Sequence, residues 1–145
     1  MNIYTPENIT KLGQSEIFVF GSNADGWHSK GAALTAKQKF GAIYGEAEGL
    51  MGQSYALPTV GHRLSRMPLE KIKIHAERFI KCAKEHPELT FLLTLVGCGL
   101  AGHKVKDIAP MFKDCPENVI KPKEFGEWPK EISVAQEIVS KFKTK

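Results

Sequence analysis

Two short glycine-bearing segments, each emerging from an apolar strand-like run and leading into helix-forming sequence, constrain this chain more than any other feature. In the first, Ile17-Phe18-Val19-Phe20 runs into Gly21-Ser22-Asn23-Ala24-Asp25-Gly26-Trp27-His28-Ser29-Lys30-Gly31-Ala32-Ala33. In the second, residues 91–96 run into Gly97-Cys98-Gly99-Leu100-Ala101-Gly102-His103. A strand, a bare-backbone loop and a helix start together aim several main-chain N–H groups at one place and add the positive end of a helix dipole, which suits phosphate. Two such loops in one small domain predict a diphosphate clamp.

The chain has 145 residues, enough for one domain with a real core and too few for two, so residues 1–145 are expected to form a single domain. Its 42% apolar and 25% charged residues are those of an ordinary globular protein and argue against disorder or a fibrous fold. No apolar run approaches the roughly 20 residues that cross a bilayer, and the amino terminus lacks the basic and apolar stretches of a secretory signal, so a cytoplasmic protein without membrane contact is expected. Three scattered cysteines and five histidines without ligand spacing give neither a disulfide framework nor a metal site. The net charge of +4 is mixed with acids except in the final five residues, which argues against a nucleic-acid partner.

Pattern along the chain predicts an α/β order. Thr5 and Pro6 read as the start of a short helical turn, residues 16–20 as a buried strand, and residues 32–40 as a helix burying Ala33, Ala36 and Phe40. Four glycines in residues 41–52 predict an irregular connection, followed by a strand over 53–57 that Pro58 stops. Pro68 opens the clearest helix, with Ile72, Ala76, Phe79, Ile80 and Ala83 on one face before Pro87. Residues 90–96 form the most apolar run and predict a strand covered on both faces. A helix over 104–112, starting nearer Lys106 because of Pro110, a short strand at Val119-Ile120 and a last helix over 129–142 complete the order. Alternating strands and helices imply a mixed, mostly parallel sheet with helices on both faces.

Rival readings attend every polar residue in the loops. Asn23 can meet a ribose hydroxyl or cap its own loop, and Trp27 and His28 can flank a ligand or anchor the loop. Asp25 with His28 can position a water as general base. Cys98 before a helix, with His103 near in sequence, suggests a nucleophile, yet its glycines are adjacent rather than two positions away, which favours a small cysteine filling a tight turn. Asp107 reads as a helix cap. Neither the dinucleotide fingerprint GxGxxG nor the P-loop GxxxxGK[ST] occurs at the first loop.

The run FVFGSNADGWHSKGAALTAKQKFGAIYGEAEGLMGQSYALPTVG, with the later LTLVGCGLAGHKVKDIAPMF, closely resembles a group of small phage and bacterial proteins over most of residues 16–125. In motif order it is more distantly similar to macrodomains, the three-layer α/β/α modules that bind ADP-ribose. That resemblance implies a macrodomain-like fold and a ligand of the ADP-ribose type, with no cofactor. The implied ligand contacts are Gly21, Ser22, Asn23, Lys30, Gly31, Ala32, Ala33 and Thr59 on one side. On the other they are Gly97, Cys98, Gly99, Leu100, Ala101 and Gly102, in the place of the second phosphate loop. The triple glycine of many macrodomains is reduced to Lys30-Gly31-Ala32-Ala33, and the paired glutamate of poly(ADP-ribose) glycohydrolases is missing, which argues against their chemistry. The aromatic residue common in the second macrodomain loop is also replaced. The resemblance thus supports a ligand class more than a reaction. It leaves open both hydrolysis of an ADP-ribosyl or nucleotide linkage and a phage-encoded interaction protein that sequesters a nucleotide signal or a host factor.

Overall fold

Strict alternation along the first strand sets the architecture. In a strand successive side chains point to opposite faces, so Ile17 and Val19 enter one core cluster while Phe18 and Phe20 enter another. A computed structural model describes residues 4–125 of the chain. Its five strands are β1 (Glu16–Asn23), β2 (Gly49–Met51), β3 (Ser54–Val60), β4 (Thr90–Leu93) and β5 (Val119–Ile120). They form one sheet in the order β2-β3-β1-β4-β5, antiparallel only between β2 and β3. The fold is α/β with a mixed, mostly parallel sheet, as the alternating pattern predicts.

Helix α1 (Gly31–Lys39) packs Ala33 and Ala36 against Phe18, Phe20 and Ala56, with Phe40 closing the same cluster. Helix α2 (Leu69–Glu85) buries the five predicted residues Ile72, Ala76, Phe79, Ile80 and Ala83 in the opposite cluster, against Val19, Tyr55, Leu57 and Phe91. Burial of each large side chain here contributes about 1.5–3 kcal/mol. Phe79 stands edge-on to Tyr55, Phe91 and Phe112 at once, which fixes α2 across β3 and β4. The short helix α3 (Val105–Ile108) continues as a 3-10 turn over Ala109–Phe112, with Ile108, Ala109 and Phe112 in the α2 cluster.

Several expectations are corrected. Thr5 caps no helix: its hydroxyl reaches the Leu93 and Ile120 carbonyls at 2.7 and 3.0 Å, stapling the amino-terminal segment across β4 and β5. β1 runs on through Gly21, Ser22 and Asn23, because β3 offers partners Leu57, Pro58 and Val60 alongside. The glycine-rich connection contains β2, and β3 passes through Pro58; β2 reaches only to Ala56, so at Pro58 the strand has a single neighbour and the missing N–H costs little. β4 ends at Leu93 rather than Val96, since Thr94 spends both its N–H and its hydroxyl on the Val19 carbonyl and the chain turns away. α3 starts at Val105, ahead of Lys106, because Pro110 opens the separate 3-10 turn instead of interrupting the helix. Asp107 lies inside the first turn of α3, whose cap position Lys104 holds. The helix predicted over residues 129–142 lies outside the described residues.

Candidate functional site

In open α/β sheets ligands bind beyond the carboxyl ends of the strands. There, past the ends of β1, β3 and β4, the described residues enclose a cavity of about 410 Å³, within the size range of small-molecule sites. Both glycine segments line it: Gly21, Ser22, Asn23, Lys30, Gly31, Ala32 and Ala33 from the first, Gly97, Gly99, Leu100 and Ala101 from the second, with Thr59 between them. Cys98 and Gly102 belong to the same loop and stay outside the lining.

Gly21 lets these walls meet. A Cβ there would stand 3.1 Å from the Thr59 hydroxyl oxygen, which would have to give way, and would already touch the Gly97 nitrogen of the second loop at 3.8 Å. Gly97 is needed for its own reason: its φ of +80° lies in the left-handed region, and a Cβ would reach within 3.0 Å of Ile108 Cδ1.

Main-chain donors dominate the chemistry. The first three N–H groups of α1, those of Gly31, Ala32 and Ala33, precede the helical ladder, and no side chain caps them; Lys30 at the cap position is extended, with φ of −146° and ψ of 157°. In the second loop the N–H groups of Val96, Cys98, Gly102 and His103 bond to carbonyls of the loop itself. Those of Gly97, Gly99, Leu100 and Ala101 make no hydrogen bond among the described residues. The cavity is thus bordered on two sides by unspent N–H groups, one set carrying a helix dipole. Among the described residues, Lys30 is the only charged one in its lining.

The side chains of the first loop build it. Asn23 Oδ1 accepts from the N–H groups of Asp25 and Trp27 at 3.2 and 2.9 Å while Nδ2 donates to the Trp27 carbonyl at 3.0 Å. The local-cap reading of Asn23 is therefore the one the geometry favours. Ser22 donates to the Ala47 carbonyl at 2.6 Å. His28, which could flank a ligand or anchor the loop, is fully buried: its ring stands edge-on to Phe20 and Nε2 donates to the Glu46 carbonyl at 3.0 Å. Its Nδ1 has no partner among the described residues. Trp27 remains in the cavity lining.

Asp25 and His28 do not form a pair. The Asp25 carboxylate accepts from the Arg63 N–H at 2.6 Å and faces His62 Nδ1 at 2.8 Å. The Arg63 N–H and then His62 hold its pKa below the usual carboxylate value. This latch secures a tight turn in which Arg63 and Leu64 both adopt left-handed φ, at 54° and 61°, a conformation that non-glycine residues rarely take. Leu64 is exposed and lines the cavity.

Cys98 and His103 are likewise apart in function. Cys98 packs on the α2-side core, and burial pushes its thiol up to about 11, the opposite of an activated nucleophile. His103 accepts from Arg66 Nη2 at its Nδ1, 3.2 Å away, and donates from Nε2 to the Met67 carbonyl at 3.0 Å, a pairing that assigns one neutral tautomer. Both ring nitrogens are thereby spent on structure.

Sequence reasoning missed Ser29, Val60, Leu64, Thr94, Leu95 and Val96, which also line the cavity. Thr94, Leu95 and Val96 read as strand because hydropathy does not reveal where a neighbouring strand stops pairing. Nothing in the polar stretch around Leu64 signals a cavity wall. Among the described residues no helix is long and apolar enough to cross a membrane, and no cluster of three or more His, Cys, Asp or Glu side chains is arranged to hold a metal. Comparison of the chain with protein-family models, with curated proteins and with solved structures found no match to any of them.

Proposed function

We propose that this protein is a macrodomain-like module that binds ADP-ribose or a related nucleotide derivative, with the diphosphate held between the start of α1 and the loop of residues 97–101. One observation carries the reading: two sets of unspent main-chain N–H groups, Gly31 to Ala33 and Gly97 with Gly99 to Ala101, border a single cavity beside Lys30. Anions gain both hydrogen bonds and dipole stabilisation from such groups. The motif order shared with macrodomains points to the same ligand class.

The lining favours holding a ligand over cutting one. Among the described residues it includes no carboxylate, imidazole or thiol side chain, and general acid–base or nucleophilic catalysis needs such a group within hydrogen-bond reach of the reacting atoms. Ligand binding without turnover, as in a protein that sequesters a nucleotide, is the form of the reading that these side chains support.

Calorimetric titration with ADP-ribose tests it. The expected result is saturable heat and a fold stabilised by about 2.7 kcal/mol at a hundredfold excess over the dissociation constant. Absence of both heat and thermal stabilisation with ADP-ribose, its cyclic forms and NAD removes the proposal.

A further inference from the structure

The rim of the cavity is as distinctive as its floor. Eight large apolar side chains are exposed on the described surface, and four of them, Trp27, Leu64, Leu95 and Leu100, line this one cavity. Leu64 is brought there by a strained turn that Asp25 holds in place. Strain kept at a cavity mouth is a reason to look for function in the side chain so placed. An apolar collar above a floor of N–H donors fits a ligand with an anionic centre and a flat or apolar end.

The polar side chains in the lining say how that end is read. Ser22 and Thr94 spend their hydroxyl protons on the Ala47 and Val19 carbonyls, and the Asn23 amide spends its oxygen and one of its two N–H groups on its own loop. What remains is the other Asn23 N–H, the hydroxyls of Ser29 and Thr59, the Lys30 ammonium and the Trp27 indole N–H. Hydroxyls donate and accept alike, and an amide N–H, ammonium or indole only donates. Every base carries ring-nitrogen or carbonyl acceptors for such donors, and a hydroxyl turns to meet a donor or an acceptor, so these groups do not tell one base from another. Among the described residues, the side chains that would demand a particular edge, a carboxylate or a free amide, are missing from the lining.

We infer that the cavity recognises the phosphates and the face of the attached ring but not the ring's edge, so that its ligands are nucleoside diphosphate esters irrespective of base. This rests on the nucleotide reading above and narrows it. The ring packs among Trp27, Leu64, Leu95 and Leu100, where stacking and apolar contact serve every base, since all of them have π-faces.

The test is calorimetric titration of the full chain with ADP-ribose, GDP-ribose, CDP-ribose and UDP-ribose. The four dissociation constants are expected to agree within about threefold, below the discrimination that one well-placed edge contact supplies. Leu64→Gly should weaken all four alike, by about fivefold, while the melting temperature holds, because glycine adopts the left-handed φ without strain. Leu100→Ser, at the most exposed position of the collar, should act in the same direction. A preference of about tenfold or more for one base overturns the inference and leaves the nucleotide reading intact. Equal affinities that neither substitution lowers overturn the collar's role, and no binding by any of the four overturns both readings together.

Discussion

The two glycine segments look alike in sequence and are built on different principles. The first is shaped by side chains: Ser22, Asn23, Asp25 and His28 each hold a different piece of backbone, and the unspent donors come only afterwards, at the start of α1. The second is shaped by its own main chain, through Val96 to Thr94, Cys98 to Leu95, Gly102 to Gly99 and His103 to Gly97, and its free donors lie within the loop. A loop held by side chains is sensitive to truncation of those side chains, in addition to loss of a crowded glycine such as Gly26. A loop held by its backbone is sensitive to loss of the conformations that only glycine adopts.

The largest effect that would break this contrast is expected at Gly26. Its φ is +69°, and a Cβ would stand 2.5 Å from the Gly45 carbonyl carbon, backbone that cannot swing aside. Gly26→Ala should cost about 3 kcal/mol, combining left-handed strain with overpacking, as read by chemical denaturation. Asn23→Ala comes next. It removes the acceptor of two N–H groups and the donor to a carbonyl, and should cost about 2 kcal/mol while weakening ligand binding through a disordered first wall.

In the second loop the glycine again outweighs the side chain, at smaller magnitudes. Gly97→Ala should cost about 1–2 kcal/mol, since the atom in its way is the end of the Ile108 side chain, which can give a little. Cys98→Ala should cost about 1 kcal/mol or less and leave ligand affinity unchanged. Equal losses of affinity from Cys98→Ala and Asn23→Ala would dissolve the distinction between the loops.

The smallest effect is a matter of pH. Because the folded pKa of Asp25 is lowered, its bonds to the Arg63 N–H and His62 stabilise the fold above the ordinary aspartate value and are lost as pH falls through the lowered one. Asp25→Asn should therefore lower the melting temperature slightly at neutral pH and make little difference at the acid end, where the unsubstituted protein has lost the same bonds, so that the acid side of the stability profile flattens, as thermal melts across that range would record.

How much of this was legible in the sequence follows from range. The helix α2 was readable because its five buried residues repeat at helical spacing and prolines bound it, both local signals. The strand core at Ile17 to Phe20 was readable for the same reason. Strand ends were not: β1 extends through Asn23, and β4 stops at Leu93, because of what lies alongside, and partners distant in sequence leave no mark on local hydropathy. That the two glycine segments approach one another was inferable from their shared place after strands. The fates of His28, driven under its loop, and of Leu64, raised over the cavity, depend on contacts with Glu46 and Asp25 that spacing does not encode.

The central claim is that both segments hold one ligand at once, and the amide signals of the protein test it most directly. In a titration of isotopically labelled protein with ADP-ribose followed by NMR, the amides of Gly31, Ala32 and Ala33 and those of Gly97, Gly99, Leu100 and Ala101 should shift together along a single binding curve. Shifts confined to one set, or two curves with different midpoints, would contradict it.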